Sequence, residues 1–291
     1  MTQRYGGSWT DKKLDCIQKY LEAYTTIMSQ KQFRFAYIDA FAGTGYRKLK
    51  DEETDQLIIP ELVDTESETF LSGSVLRALQ VHPPFHKYLF IEKDEKKCRE
   101  LKKIIHEKHQ DIQNRIKIIN QDANEFISDV CRLDWSLHRA VLFLDPFGMQ
   151  VKWSTIESIA QTRAIDMWLL FPLGIGVSRL LKKDGQIKDP LKTKLDDVFG
   201  TKDWFHEFYK VTIEDSLFGS EEKMKKEVNF EKIAAYFTRR LKTIFNKISE
   251  NPAKLVNSKN VPLFLLCFAA GNPRGAAIAV KIADYLLKEI K

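Results

Sequence analysis

Four acidic residues stand at the ends of apolar runs in the first half of the chain. Asp39 closes FRFAYID, Glu92 follows YLFI, Asp122 follows IKIINQ and Asp145 follows AVLFL. The first leads into AFAGTG, where Ala42, Gly43 and Gly45 have almost no side chain, so the backbone can bend tightly and a ligand can lie against it. Taken singly, each acid has an ordinary use as a cap for the next helix or as a solvated group. Four in succession beside a bend without side chains point instead to a pocket for a nucleoside that carries positive charge. In such a pocket Glu92 is a bidentate acceptor for the two hydroxyls of a ribose. Asp122 accepts from an exocyclic amine of adenine, with Ile91 and Ala123 flanking the ring plane, and Asp39 faces the amino end of the ligand. A pyrophosphate would be repelled there.

The acids reach one place only if the runs that carry them are neighbouring strands. Residues 33–39, 87–94, 115–122, 140–148 and 164–172 are short and apolar on both faces, and 94–110, 122–132 and 152–162 between them have helical periodicity. This alternation predicts an α/β fold in which a mostly parallel sheet is covered by helices on both faces. Ligands of such sheets bind beyond the carboxyl ends of the strands, where the strand order reverses. Upstream, Leu14, Ile17, Leu21, Tyr24 and Met28 recur at steps of three or four and predict an amphipathic helix over 9–30, capped by Ser8 or Thr10. Downstream, 253–257 and 261–270 predict a hairpin across SKN, followed by a helix from near Arg274.

Two segments interrupt the rhythm and leave 1–173 with 253–291 as the core. Residues 47–70 are acidic and irregular and read as a surface insertion. Residues 174–252 read as a helical insertion carrying Arg179, Lys182, Lys183, Lys188, Lys192 and Lys194, then Trp204, Phe205, Phe208 and Tyr209. Lysines could meet phosphates there, with Trp204 or Phe205 as a stacking platform for bases. Because Asp184, Asp189, Asp196 and Asp197 interleave, the same stretch also reads as a solvated face over an ordinary core.

Other chemistries fit less well. A dinucleotide fingerprint wants a third glycine where Lys48 stands, and an acid about 20 residues on, whereas the ribose candidate here is Glu92. A nicotinamide-dependent oxidoreductase is therefore the weaker alternative, and no GK[ST] follows the glycines to make a P-loop. Cys16, Cys98, Cys131 and Cys267 form no CxxC pair, and the pairs His82 with His86 and His106 with His109 lack a third ligand, so neither a disulfide framework nor a metal site is expected. No apolar run approaches the roughly 20 residues that span a bilayer, and the first residues lack the apolar core of a secretory signal. The expectation is a cytoplasmic protein without membrane contact. A formal charge of +6 tolerates a polyanionic partner. The cofactor that best suits a glycine bend flanked by acids is S-adenosylmethionine, whose sulfonium and ammonium are both cationic.

The order DAFAGTG, IEKD, NQDA and LDPFG resembles the successive motifs of class I S-adenosylmethionine-dependent methyltransferases. The resemblance implies a Rossmann-like fold with a mostly parallel seven-stranded sheet, and cofactor contacts at Asp39, Phe41, Ala42, Gly43, Gly45, Glu92, Lys93, Asp122 and Ala123. More narrowly, WTDKKLDCIQKYLEAY leading into YIDAFAGTG, then GSVLRAL, FIEKD, FLDPFG and the late NPRG are similar to the three-Cys-motif partner (TcmP) family of proposed bacterial methyltransferases. That family is named for a cysteine-bearing protein encoded beside it, and the resemblance leaves the methyl acceptor undefined. It implies such a protein as a partner, and it leaves open a chain that binds the cofactor without independent activity.

Residues 145–148, DPFG, resemble the [DNS]PP[YF] tetrad of enzymes that methylate exocyclic amines, and the DPFG form is similar to that of tRNA guanine dimethyltransferases. The lone pair of such an amine is delocalised into its ring, so the nitrogen attacks only when its hydrogens are held by acceptors that favour a pyramidal geometry. The resemblance assigns that role to Asp145 and the Pro146 carbonyl, with Phe147 or a nearby aromatic stacking on an extruded base of a nucleic acid. Phe147 stands where the second proline would be, and Gly148 where the aromatic would be.

Overall fold

Strand pairing follows the apolar runs. The structure, a computed structural model, describes residues 8–43, 66–216 and 219–290. Five strands, β1 (Arg34–Asp39), β2 (Lys87–Glu92), β3 (Ile116–Asn120), β4 (His138–Leu144) and β5 (Ile165–Phe171), pair in parallel in the order β3-β2-β1-β4-β5. The order reverses between β1 and β4, so the ligand crevice of a doubly wound sheet is expected beyond their carboxyl ends. β10 (Pro262–Ala270) lies antiparallel to β5. Its other edge pairs with both β9 (Ala253–Val256) and β8 (Lys247–Ile248).

The mixed sheet thus has eight strands, not the expected seven. The extra strand is possible because β10 is nine residues long, enough to seat two short strands along one edge. The two-residue β8 lies inside the stretch 174–252, so that insertion contributes to the core sheet.

Alternation along each strand feeds two cores. On one face Tyr37, Val141, Phe143 and Trp168 pack against Ile17 and Leu21 of α1 (Ser8–Met28), Val75 of α2 (Glu66–Leu79), Leu101 of α3 (Glu95–Lys108) and Leu287 of α9 (Ala276–Ile290). On the other, Ile38, Leu142, Met167 and Leu169 pack against Ile127 of α4 (Ala123–Cys131), Ile156 and Ile159 of α5 (Trp153–Gln161) and Phe237 of α8 (Phe230–Lys242). All seven residues of β5 are buried, as a central strand covered on both sides requires. Each large aliphatic side chain so placed stabilises the fold by roughly 1.5–3 kcal/mol relative to exposure.

The irregular reading of 47–70 changes at its end, where residues 66–70 already belong to α2; the rest of that segment up to 65 lies outside the described residues. Nor is 174–252 wholly helical. After a π-turn (Leu173–Ser178) come α6 (Asp189–Phe199) and α7 (Trp204–Phe208), then a hairpin of β6 (Tyr209–Ser216) and β7 (Gly219–Lys226). The aromatics expected as a stacking platform are largely core. Trp204 and Phe208 are buried with Phe199 and Tyr236, Trp204 Nε1 donates to Asp196 Oδ1 at 2.7 Å, and half-buried Phe205 stacks on Tyr209 at 4.9 Å. Among the described residues no helix is long and apolar enough to cross a membrane.

Candidate active site

The switch point between β1 and β4 holds two of the four acids. Asp39 pairs in register with Phe143, and Asp145 follows two residues later on the neighbouring strand end. Beyond Asp39 the chain bonds first to β4, through Ala40 N to Phe143 O at 3.1 Å, and then to the opposite neighbour, through Ala42 N to Ile91 O at 2.9 Å. This crossing carries Gly43 onto the end of β2. A Cβ built on Gly43 would overlap the carboxylate of Glu92, so glycine is the residue that lets this bend and that acid coexist. Phe41 is half-buried and Ala42 buried beside it; Gly45 lies outside the described residues.

Asp39 is fully buried. Its Oδ1 accepts from Phe41 N at 3.3 Å, its Oδ2 lies 3.5 Å from the Tyr37 hydroxyl, and the Ser74 hydroxyl of α2 donates to it. Burial pushes its carboxyl up to about 7 against these bonds, and the nearby charge of Asp145 adds to the rise. Asp145 is buried too, and burial raises its pKa, opposed by the ammonium of Lys13, which lies 3.3 and 3.4 Å from its two oxygens. Lys13 projects from α1, is 1% exposed, and sits 5.8 Å above the Phe143 ring. Burial brings its ammonium down to about 8 despite the attraction of Asp145 and Asp39.

Glu92 and Asp122 form the second half of the rim. Glu92 Oε1 accepts from Asp94 N at 2.7 Å, and Asp94 in turn caps α3 through the amides of Lys96 and Lys97. Asn120 Nδ2 donates to the carbonyls of Glu92 and Lys93 at 3.0 and 2.7 Å, tying the ends of β2 and β3 together. Asp122 does what a lone strand-end acid commonly does: its Oδ1 caps α4 through Asn124 N at 2.9 Å. Its Oδ2 meets the largely exposed Lys93 Nζ at 3.4 Å. Partial burial would raise the Asp122 carboxyl, but the Asn124 and Lys93 donors hold it below the usual range. Ala123 is buried at the start of α4.

The tetrad 145–148 forms a supported loop. Phe147 N donates to Gln150 Oε1 at 2.9 Å, and Gly148 adopts φ +67°, a left-handed conformation that favours glycine. Asn124 anchors the loop from below, donating to Gln150 O at 3.0 Å and accepting from Lys152 N and Thr155 Oγ1 at 3.1 and 2.8 Å. Pro146, Gly148, Met149, Leu169, Phe171 and Pro172 line an apolar cleft beside it. Asp39, Gly43, Glu92 and Asp145 thus stand at the carboxyl ends of the adjacent strands β2, β1 and β4, with Lys93 and Asp122 paired beside them after β2 and β3.

Sequence reading misses Lys13 and Asn124. A signal for Lys13 exists, since it stands four residues before Ile17 on the apolar stripe of α1, where a lysine is out of place. Tyr20, on the same stripe, donates to buried Asp166 Oδ2 at 2.8 Å; Asp166 also accepts from Gly271 N at 3.0 Å, at the opposite rim of the sheet.

Two of the raised carboxyls, Asp39 and Asp166, give a pH dependence of known sign. Unfolded aspartate titrates near ~3.9, whereas burial, opposed by the Tyr20 hydroxyl and the Gly271 and Asn272 amides, takes Asp166 up to about 6, and Asp39 stands at about 7. Between these values the folded chain holds protons that the unfolded chain has released, so their stabilising contribution is complete below about pH 4 and is lost as pH rises through about 6 to 7. Asp39→Asn is expected to flatten the slope of unfolding free energy between pH 4.5 and 7.5. At pH 7.5 it should stabilise the ligand-free protein by on the order of 1–3 kcal/mol, read from urea melts. A steeper slope in the variant would contradict this account.

No family model matches the chain, and no curated protein does. Among solved structures, LPL1258 of Legionella pneumophila is similar at 14% identity and a TM-score of 0.48, covering 99% of this chain and 94% of that one. A spermidine synthase in complex with the transition-state analogue AdoDATO aligns at 9% identity and 0.42, covering 95% and 63%. A proposed S-adenosylmethionine-dependent methyltransferase of Listeria monocytogenes aligns at 11% and 0.36, covering 86% and 97%. Likenesses this distant carry no function, which has to be argued from the site.

Proposed function

We propose that this chain is an S-adenosylmethionine-dependent methyltransferase that acts on an exocyclic amine of a nucleic-acid base. The observation that supports it most is the meeting, at the switch point, of a side-chain-poor bend against Glu92 with buried Asp39 and Asp145 on adjacent strand ends. The residues suit the cofactor: Gly43 lets the Glu92 carboxylate lie against the bend, Glu92 offers acceptors to a ribose, and Asp39 offers a charge to an ammonium. When bound, S-adenosylmethionine supplies an activated methyl group. The chain's own part is then positioning and electrostatics. Asp145 and the Pro146 carbonyl accept from the amine hydrogens, and the apolar cleft under Gly148 keeps water away. The narrower membership in the TcmP family rests on the motifs quoted above.

Calorimetry with S-adenosylmethionine and with NAD separates this reading from a nicotinamide enzyme, and only the first is expected to bind. Transfer of label from methyl-labelled cofactor to tRNA, rRNA or DNA tests the reaction. Binding without incorporation into any polymer would favour the alternative, a cofactor-binding partner of a three-Cys-motif protein. Failure to bind would end both.

A further inference from the structure

A lysine on the buried stripe of a helix is a poor choice for scaffolding. Removing an ammonium from water costs several kcal/mol, and replacing a buried ion pair by apolar residues of similar volume is often neutral or stabilising. Lys13 nevertheless reaches from α1 across the face of Phe143 to both oxygens of Asp145. We propose that Lys13 is a positioning residue of the methyl-transfer site, which fixes the plane and the charge of the Asp145 carboxylate for an incoming amine. The inference rests on the function proposed above and adds α1 to the working parts of the site.

A carboxylate has about four acceptor positions, two on each oxygen. Lys13 occupies one direction on each at 3.3 and 3.4 Å, which leaves the remaining lone pairs for the amine hydrogens. In the reaction the amine nitrogen forms a bond to the methyl carbon while the carbon–sulfur bond breaks and sulfur keeps the electron pair. The proton that nitrogen then sheds passes to Asp145 and on to solvent. An ionised Asp145 is needed to receive it. Among the described residues, the charged groups coupled to it are Lys13 from α1 and Asp39 from β1, with Tyr37 and Ser74 bonded to Asp39 behind them. Among these described groups Lys13 carries the positive charge that opposes protonation of Asp145.

The test uses the full chain with aspartate carboxyls labelled with ¹³C, the Asp145 signal being assigned by its loss in Asp145→Asn. In Lys13→Met the proton affinity of Asp145 is expected to rise at least tenfold, and Lys13→Arg should restore it. Transfer to the nucleic acid that accepts label should fall at least thirtyfold in Lys13→Met, recover in large part in Lys13→Arg, and leave S-adenosylmethionine affinity within threefold. An unmoved Asp145 titration would overturn the proposal, and so would a loss of cofactor affinity that matches the loss of transfer, which would make Lys13 a grip on the cofactor. If the wild-type protein transfers no label at all, the functional reading fails, and the carboxyl titration still decides whether Lys13 governs Asp145.

Discussion

Asp145→Asn is expected to lower methyl transfer by a factor of about 10²–10⁴, the range in which a positioned proton acceptor or an oriented electrostatic partner contributes. S-adenosylmethionine should still bind within about threefold of its wild-type affinity, the pattern of an interaction made to the reacting amine and not to the cofactor. Asparagine keeps the shape of the side chain but presents one neutral acceptor in place of a carboxylate, and its amide would point hydrogens at either Lys13 or the substrate.

The same change has a cost in stability, because Lys13, 1% exposed, loses its counter-ion. Breaking one side of a buried pair commonly costs ~3–5 kcal/mol. Here the loss is limited to about 1–3 kcal/mol, since an ammonium already brought down to about 8 can shed its proton near neutral pH. The double variant Lys13→Met with Asp145→Asn should therefore unfold at higher urea than Asp145→Asn alone while remaining without transfer activity. If the double variant is no more stable than the single one, the pair is not the buried ion pair described here.

What the sequence discloses and what it hides have physical reasons. Parallel strands covered on both faces are continuous apolar runs, so β1, β2, β4 and β5, and the acids at the ends of the first three, are legible directly. Gly43 is legible as a residue without a side chain, but its apposition to Glu92 depends on the crossing from β4 to β2, which no local pattern contains. β8 has two residues and no periodicity to read. The hairpin β6–β7 did leave a trace, since Val211 and Ile213 alternate with Lys210, Thr212 and Glu214, but a surrounding field of helical spacing outweighs it. Lys13 is hidden by its company, since its neighbour Lys12 is exposed and the two differ only in which side of α1 they occupy.

Gly43→Ala is the sharpest probe of the cofactor side. The added methyl group would overlap the Glu92 carboxylate, the far end of a flexible side chain, so the fold can accommodate it by swinging Glu92 outward. Stability should change by no more than about 1 kcal/mol, because loss of the Asp94 N to Glu92 Oε1 bond is offset in part by the reduced freedom of the unfolded chain. Binding should suffer far more. The rim loses its placed acceptor as Glu92 swings away, which corresponds to about 2 kcal/mol or a roughly thirtyfold weaker Kd for S-adenosylmethionine. Since both substitutions act on one carboxylate, Gly43→Ala and Glu92→Gln should not add: the double variant is expected to bind within about twofold of the weaker single one. Wild-type affinity in Gly43→Ala would show that the ligand does not depend on Glu92 held against this bend, and strict additivity would show that Gly43 and Glu92 serve it separately.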